Sequence, residues 1–322
     1  MSIFYYASGD GTWLKGWRND GTGPAVVLVP GCGTVPTAWP SLNGADCGYT
    51  VVTHYQRGVM GSERPQDLDR IKIEDHASDL LALIDHEGLD RVLLAAWSIG
   101  VNVAFEFALE HPERVAGILA VAGVPGGTYH TMGAPWHLPK AMRRPAGLAV
   151  THGIRLVSPL ANNMLPRLPL NGTVTTAARL LGLVGPTATS DHAIAFARQF
   201  FQHDWHWFSR LAFAIDQHAR IPVADVTCPV TVVAGLNDVI TNAADCVSAA
   251  SRLPDVRMRV IPGTHFLPLE HPEVMLDEVA ALAVRSRTGS RIGPDTIRTG
   301  GQQTVTRSRS DARRRAKAAI SA

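Results

Sequence analysis

The chain has 322 residues, is 46% hydrophobic and 18% charged, and carries a formal net charge of +2, the balance of an ordinary globular protein with one large core or two modest ones. Its longest apolar stretch, Val115 to Val124, falls far short of the ~20 residues of a membrane-spanning helix. The amino terminus has no basic start, long apolar run or small-residue cleavage site, and Cys32, Cys47, Cys228 and Cys246 lack Cys-x-x-Cys spacing. A secretion signal, a metal site and a redox pair are therefore not expected, and the expected location is the cytoplasm.

Ala25 to Val29 forms a continuous apolar run that ends in Pro30-Gly31-Cys32-Gly33, and Thr50 to Tyr55 is a second run ending in Gln56-Arg57-Gly58. Both read as buried strands with glycine-bearing loops at their ends. Asp75 to His86 places Leu80, Leu81 and Ile84 at helical spacing, and Gly88 reads as its stop. Arg91 to Ala96 is the next strand, and Val101 to Leu109 the next helix, ending at His111-Pro112. Short strands then recur at Gly117 to Ala122, Val230 to Ala234 and Arg257 to Ile261. This alternation predicts an α/β chain with a mostly parallel, doubly wound sheet covered by helices on both faces.

Residues 125–221 interrupt that rhythm with many Pro and Gly, no strand pattern, and an aromatic segment from Phe200 to Phe208 that reads as one helix. They are expected to form a helical cap inserted into a core made of residues 1–124 and 222–285. Residues 286–322 contain no Leu, Met or aromatic side chain to anchor a core, so a disordered basic tail is expected there. Charge is uneven: residues 286–322 hold nine Lys/Arg against Asp295 and Asp311, and residues 125–221 hold nine against Asp191, Asp204 and Asp216. The tail reads as a solvated extension, with no nucleic-acid partner expected.

Ala96-Trp97-Ser98-Ile99-Gly100 places a serine between small residues where a strand turns into a helix, the pattern of a nucleophile elbow. A serine hydroxyl is a poor nucleophile unless a histidine takes its proton and a carboxylate orients that histidine. Asp238 follows the strand Val230 to Ala234, and His265 follows the strand ending at Ile261. All three fall just past strand ends, where ligands collect in open α/β sheets.

In the order Ser98, Asp238, His265, the chain resembles the α/β-hydrolase superfamily over about residues 20–285. The resemblance rests on Pro30-Gly31-Cys32-Gly33, Gln56-Arg57-Gly58-Val59-Met60-Gly61-Ser62, the elbow, and Gly263-Thr264-His265-Phe266-Leu267-Pro268. It implies Ser98 as nucleophile, Asp238 as orienting acid, His265 as general base, and the backbone N–H groups of Cys32 and Ile99 as oxyanion hole, with no cofactor and no metal. The chain departs from the family pattern at Ala96, where glycine is commoner, and at Pro30, where a histidine commonly precedes the glycine. Serine at 98 departs from the dehalogenase and epoxide-hydrolase branches, which use aspartate there.

The expected activity is hydrolysis of a carboxylic ester or related acyl bond of a small apolar substrate. A cofactor-free perhydrolase or carbon–carbon bond hydrolase would use the same three residues, and a non-catalytic ligand- or protein-binding member would keep the pocket alone. Structural readings also stand beside the chemical ones. Asp238 fits a helix N-cap before Ala243 to Ala250, His271 a helix start before Pro272, and Cys32 a backbone role in a glycine loop. His203 and His206 have a spacing metals use, without an acid cluster around them beyond Asp204. Asp225 and Asp245 are alternative acids set off the strand end. Trp136, Phe200, Phe201, Trp205, Trp207 and Phe208 would roof an apolar pocket or pack the cap onto the sheet.

Overall fold

The residues of the central strands explain their burial. Val26 to Val29, Val92 to Trp97 and Val230 to Gly235 are apolar at nearly every position and buried at every position, which requires cover on both faces of the sheet. The structure, a computed structural model, describes residues 1–180, 185, 187–288 and 297–299. Its strands are β1 (Ser2–Ala7), β2 (Trp13–Arg18), β3 (Ala25–Val29), β4 (Thr50–His54), β5 (Val92–Trp97), β6 (Val115–Val121), β7 (Val230–Gly235), β8 (Val256–Ile261) and β9 (Ile297–Thr299). They form one sheet in the order β1-β2-β4-β3-β5-β6-β7-β8-β9. The β1–β2 and β2–β4 pairs are antiparallel and every other pair is parallel. At β1, on the sheet edge, burial alternates along the strand, as one covered face demands.

Helices α1 (Pro40–Asn43), α2 (Ile73–His86) and α3 (Gly100–Glu110) precede the insertion, and α8 (Ala243–Ala250), α9 (Leu267–Glu270) and α10 (Pro272–Thr288) follow it. Ile73, Leu80 and Ile84 of α2, Val103 and Phe107 of α3, and Cys246 of α8 join one buried apolar layer. Met275, Val279 and Leu282 of α10 join a second layer, with Leu42 of α1. Between β6 and β7 the described residues hold helices without strands: α4 (Lys140–Met164), α5 (Gly172–Leu180), α6 (Ser190–Phe200) and α7 (Trp205–Asp216), with short 3-10 turns.

One expectation changes. The aromatic stretch from Phe200 to Phe208 is not one helix, because the chain breaks after α6. Asp204 restarts it as N-cap, its carboxylate accepting from the backbone N–H of His206 and Trp207. Most of the 286–322 tail lies outside the described residues. Within it, α10 continues to Thr288, and residues 297–299 add a parallel strand beside β8.

Candidate active site

The strand order reverses direction around β3, which is flanked by β4 on one side and β5 on the other. Such a switch point opens a crevice at the carboxyl ends of the two strands. Ser98 follows β5 at that crevice, and the Gly31–Gly33 turn follows β3. Ala96 is fully buried in register between Val29 and Ala120, so the first elbow position has room for one methyl group. Gly100 has none: a Cβ there would come 2.2 Å from the Val29 carbonyl oxygen. Ser98 itself has φ 58°, a left-handed conformation that is costly for a residue with a side chain.

His265 Nε2 lies 2.9 Å from Ser98 Oγ, and His265 Nδ1 lies 2.9 Å from Asp238 Oδ2. Asp238 is completely buried, and Ser98 and His265 are 8% and 7% exposed. The second Asp238 oxygen accepts from the backbone N–H groups of Ile240 and Thr241 at 2.8 and 2.7 Å. Both carboxylate oxygens therefore have partners, as a buried charge requires. With the ring proton on Nδ1 facing Asp238, Nε2 is an acceptor for the Ser98 hydroxyl proton. Asp245 pairs with Arg143 at 3.1 Å, and Asp225 is exposed, so Asp238 is the acid brought to His265.

Side chains to which the sequence assigns no role hold this arrangement. Trp97 donates its indole N–H to the His265 carbonyl at 2.8 Å, with its ring centroid 5.8 Å from the imidazole. Glu270, buried, accepts from the Thr264 backbone N–H at 2.8 Å and from the Thr264 hydroxyl, bracing the His265 loop. Gln56 accepts from the Gly33 N–H at 2.8 Å. The N–H groups of Cys32 and Ile99 donate to no protein group among the described residues. Burial pushes the Cys32 thiol up to about 12, which leaves it protonated and a poor nucleophile near neutral pH.

A family model described as alpha/beta hydrolase fold matches residues 24–272. The chain belongs to this family. Epoxide hydrolase A of Mycobacterium tuberculosis (strain ATCC 25618 / H37Rv) is 33% identical over 103 residues, 31% of this chain and 31% of that protein. The match thus spans about a third of that relative's length. Solved structures are similar over more of the chain. A thermophilic esterase from Thermogutta terrifontis aligns over 89% of this chain and 100% of its own, with TM-score 0.65 and 19% identity. The enol-lactonase from Burkholderia xenovorans LB400 aligns over 87% and 100%, with TM-score 0.65 and 20% identity. At these identities the likeness is one of fold.

Helices α6 and α7 meet the sheet and its loops through aromatic contacts. Trp207 of α7 donates its indole N–H to the Arg57 carbonyl at 2.7 Å, and its ring lies 4.6 Å beneath the Arg64 guanidinium. Phe196 of α6 packs edge-on against Trp97 at 6.1 Å and Phe266 at 5.9 Å. Phe200, Trp205 and Phe208 pack around His203. His203 is buried against the Gly31–Gly33 turn, where a Cβ on Gly33 would come 2.6 Å from its Nε2. Burial lowers the pKa of His203, a shift that the Phe200 carbonyl only partly offsets. His206 is exposed, so these two histidines share no face that a metal could bridge. His271 bonds the Pro262 carbonyl at 2.6 Å, immediately before α10. Trp136 is 73% exposed and takes no part in the roof.

All four cysteines are free thiols. No helix among the described residues is long and apolar enough to cross a membrane.

Proposed function

We propose that this α/β-hydrolase is a serine hydrolase that cleaves a carboxylic ester or related acyl bond of a small apolar substrate. The observation that carries the reading is the continuous Ser98–His265–Asp238 hydrogen-bond line, with 2.9 Å at each contact. Ser98 Oγ attacks the substrate carbonyl carbon while His265 Nε2 takes the hydroxyl proton. Asp238 stabilises the imidazolium through Nδ1–H and keeps the ring in the tautomer needed for the next turn. The carbonyl oxygen, now an oxyanion, is met by the N–H groups of Ile99 and Cys32, where loss of one donor typically costs about 10²–10³ in rate. Collapse of this intermediate expels the alcohol, which takes its proton from His265. Water then attacks the acyl-Ser98 ester with His265 again as base, releasing the acid and restoring the hydroxyl.

The Thermogutta terrifontis esterase and the enol-lactonase support this reading through fold. Epoxide opening is the second reading, favoured by the 33% match to epoxide hydrolase A and weakened by a hydroxyl at position 98 where that branch has a carboxylate. Perhydrolysis and carbon–carbon bond hydrolysis would run on the same triad with peroxide or a diketone as co-substrate or substrate. A panel of p-nitrophenyl esters and styrene oxide separates the first two. Turnover of short acyl esters is expected, with kcat/KM reduced at least about 10⁴-fold in Ser98→Ala. Turnover of styrene oxide alone, or ester turnover that survives Ser98→Ala, would contradict the proposal.

A further inference from the structure

Helix α4 is amphipathic in the inverse sense to a packed helix. Its buried positions are Gly147, Thr151 and Ser158, small or polar residues that repeat on one side of the cylinder. Thr151 there bonds the Tyr129 hydroxyl at 2.7 Å. On the opposite side, Met142, Leu156, Leu160 and Met164 lie at helical spacing and are 53%, 82%, 61% and 53% exposed. Val150 and Val157 widen this stripe. Eight of the fifteen large apolar side chains exposed on the described surface fall between Trp136 and Leu168, so the exposure is concentrated rather than scattered. Leu168 also lines a groove of about 290 Å³ with Leu165, Leu170, Phe201 and Arg198.

The charge around this stripe selects what covers it. Residues 125–190 contain six Lys/Arg and no Asp or Glu. Arg143 and Arg144 are neutralised by Asp245 and Asp216. Arg155 and Arg167 have no carboxylate within ion-pair distance among the described residues, whereas Lys140, two turns before Gly147, lies on the packed side beside Asp216 and Asp245. A second copy of the chain would bring two stripes edged by Arg155 and Arg167 together, cation against cation in an isologous contact. An anionic lipid surface answers both features, because its headgroups meet the cations and its acyl boundary takes the leucines.

We propose that α4 lies in the headgroup region of an anionic bilayer, with Leu156 and Leu160 inserted and Arg155 and Arg167 at the phosphate level. Membrane attachment then sets the cap, and so the roof of the Ser98 crevice, against a reservoir of apolar molecules. The docking does not depend on the chemistry at Ser98.

Flotation of the full chain with phosphatidylcholine vesicles, and with phosphatidylcholine–phosphatidylglycerol vesicles, tests it. The wild type is expected to partition at least about tenfold more strongly onto the anionic vesicles, and less so as salt rises. Leu156→Gln with Leu160→Gln, two exposed positions, is expected to cut that partitioning at least about tenfold. The thermal midpoint should be unchanged. Arg155→Glu with Arg167→Glu should weaken it mainly at low salt. No binding by the wild type overturns the proposal. Equal binding by the leucine variant does so too, since the nine cations of residues 286–322 would then carry the attachment. A dimer in light scattering that the leucine variant dissociates overturns it in favour of a second copy.

Discussion

Ser98 keeps a left-handed backbone at φ 58° because its neighbours fix it: its N–H donates to the Val121 carbonyl at 2.9 Å, and its own carbonyl accepts from Val101 N–H at 3.0 Å. A left-handed residue with a Cβ costs about 1–2 kcal/mol, and such strain persists where the surroundings over-determine it. Glycine adopts the same φ without that cost. Ser98→Gly should therefore be more stable than Ser98→Ala by about 1 kcal/mol in denaturant unfolding, while both lack ester turnover. The comparison with alanine removes the hydroxyl in both proteins and isolates the backbone. Equal stabilities, or a less stable glycine variant, would mean that the turn is not strained. Asp238 was open between helix cap and orienting acid from its residue pattern alone. It caps a loop with one oxygen, through Ile240 and Thr241, and meets His265 with the other.

The loop after β4 joins three parts of the molecule. Arg57 is fully buried, with Nε and Nη2 bonded to the two Asp79 oxygens at 2.8 and 2.7 Å and Nη1 to Asp10 at 2.5 Å. Its carbonyl receives Trp207 from α7, and its neighbour Gln56 holds the Gly31–Gly33 turn. Burial alone would raise the Asp79 carboxyl, but the Arg57 guanidinium outweighs it and holds Asp79 well below the usual carboxylate range. Next to this pair, His54 bonds the Tyr6 hydroxyl at 2.9 Å, and burial lowers its pKa to about 4. Unfolded chains protonate histidine near 6.5, whereas folded His54 stays neutral down to about pH 4. Its contribution is therefore intact above about pH 6.5 and is lost as pH falls toward 4, on the order of 3 kcal/mol in all. His203 adds a loss of the same sign, and the Asp79 contribution disappears only at more acidic pH. The thermal midpoint should decline from pH 6.5 to 4.5, with a smaller slope in His54→Gln. A flat profile over that window would contradict the burial of a neutral His54.

At the scale of the whole molecule, the parallel sheet was legible because its strands are apolar on both faces. The apolar run at Ala25 to Val29 coincides with β3, and the helical spacing at Ala243 to Ala250 with α8. Ser98 and Asp238 were legible because each follows such a strand, and His265 because it follows β8, where Arg257 and Arg259 alternate with apolar residues. The β1–β2 hairpin was not, since an edge strand buries one face and its apolar residues are mixed with exposed ones. Nor were Trp97, Gln56 and Glu270, whose partners at the site are set by tertiary folding; Trp97 and His265 stand 168 positions apart. The outward apolar face of α4 was equally hidden, because periodicity reveals that a helix has two faces and not which one is covered.

Intact-mass and peptide analysis after reaction with a fluorophosphonate asks whether Ser98 is the nucleophile of this α/β-hydrolase. With Ser98 as nucleophile, one stable phosphonyl adduct is expected on the peptide carrying Ser98, absent from Ser98→Ala and slowed in His265→Gln. A folded wild-type protein that stays unlabelled, or an adduct at another residue that persists in Ser98→Ala, would contradict it.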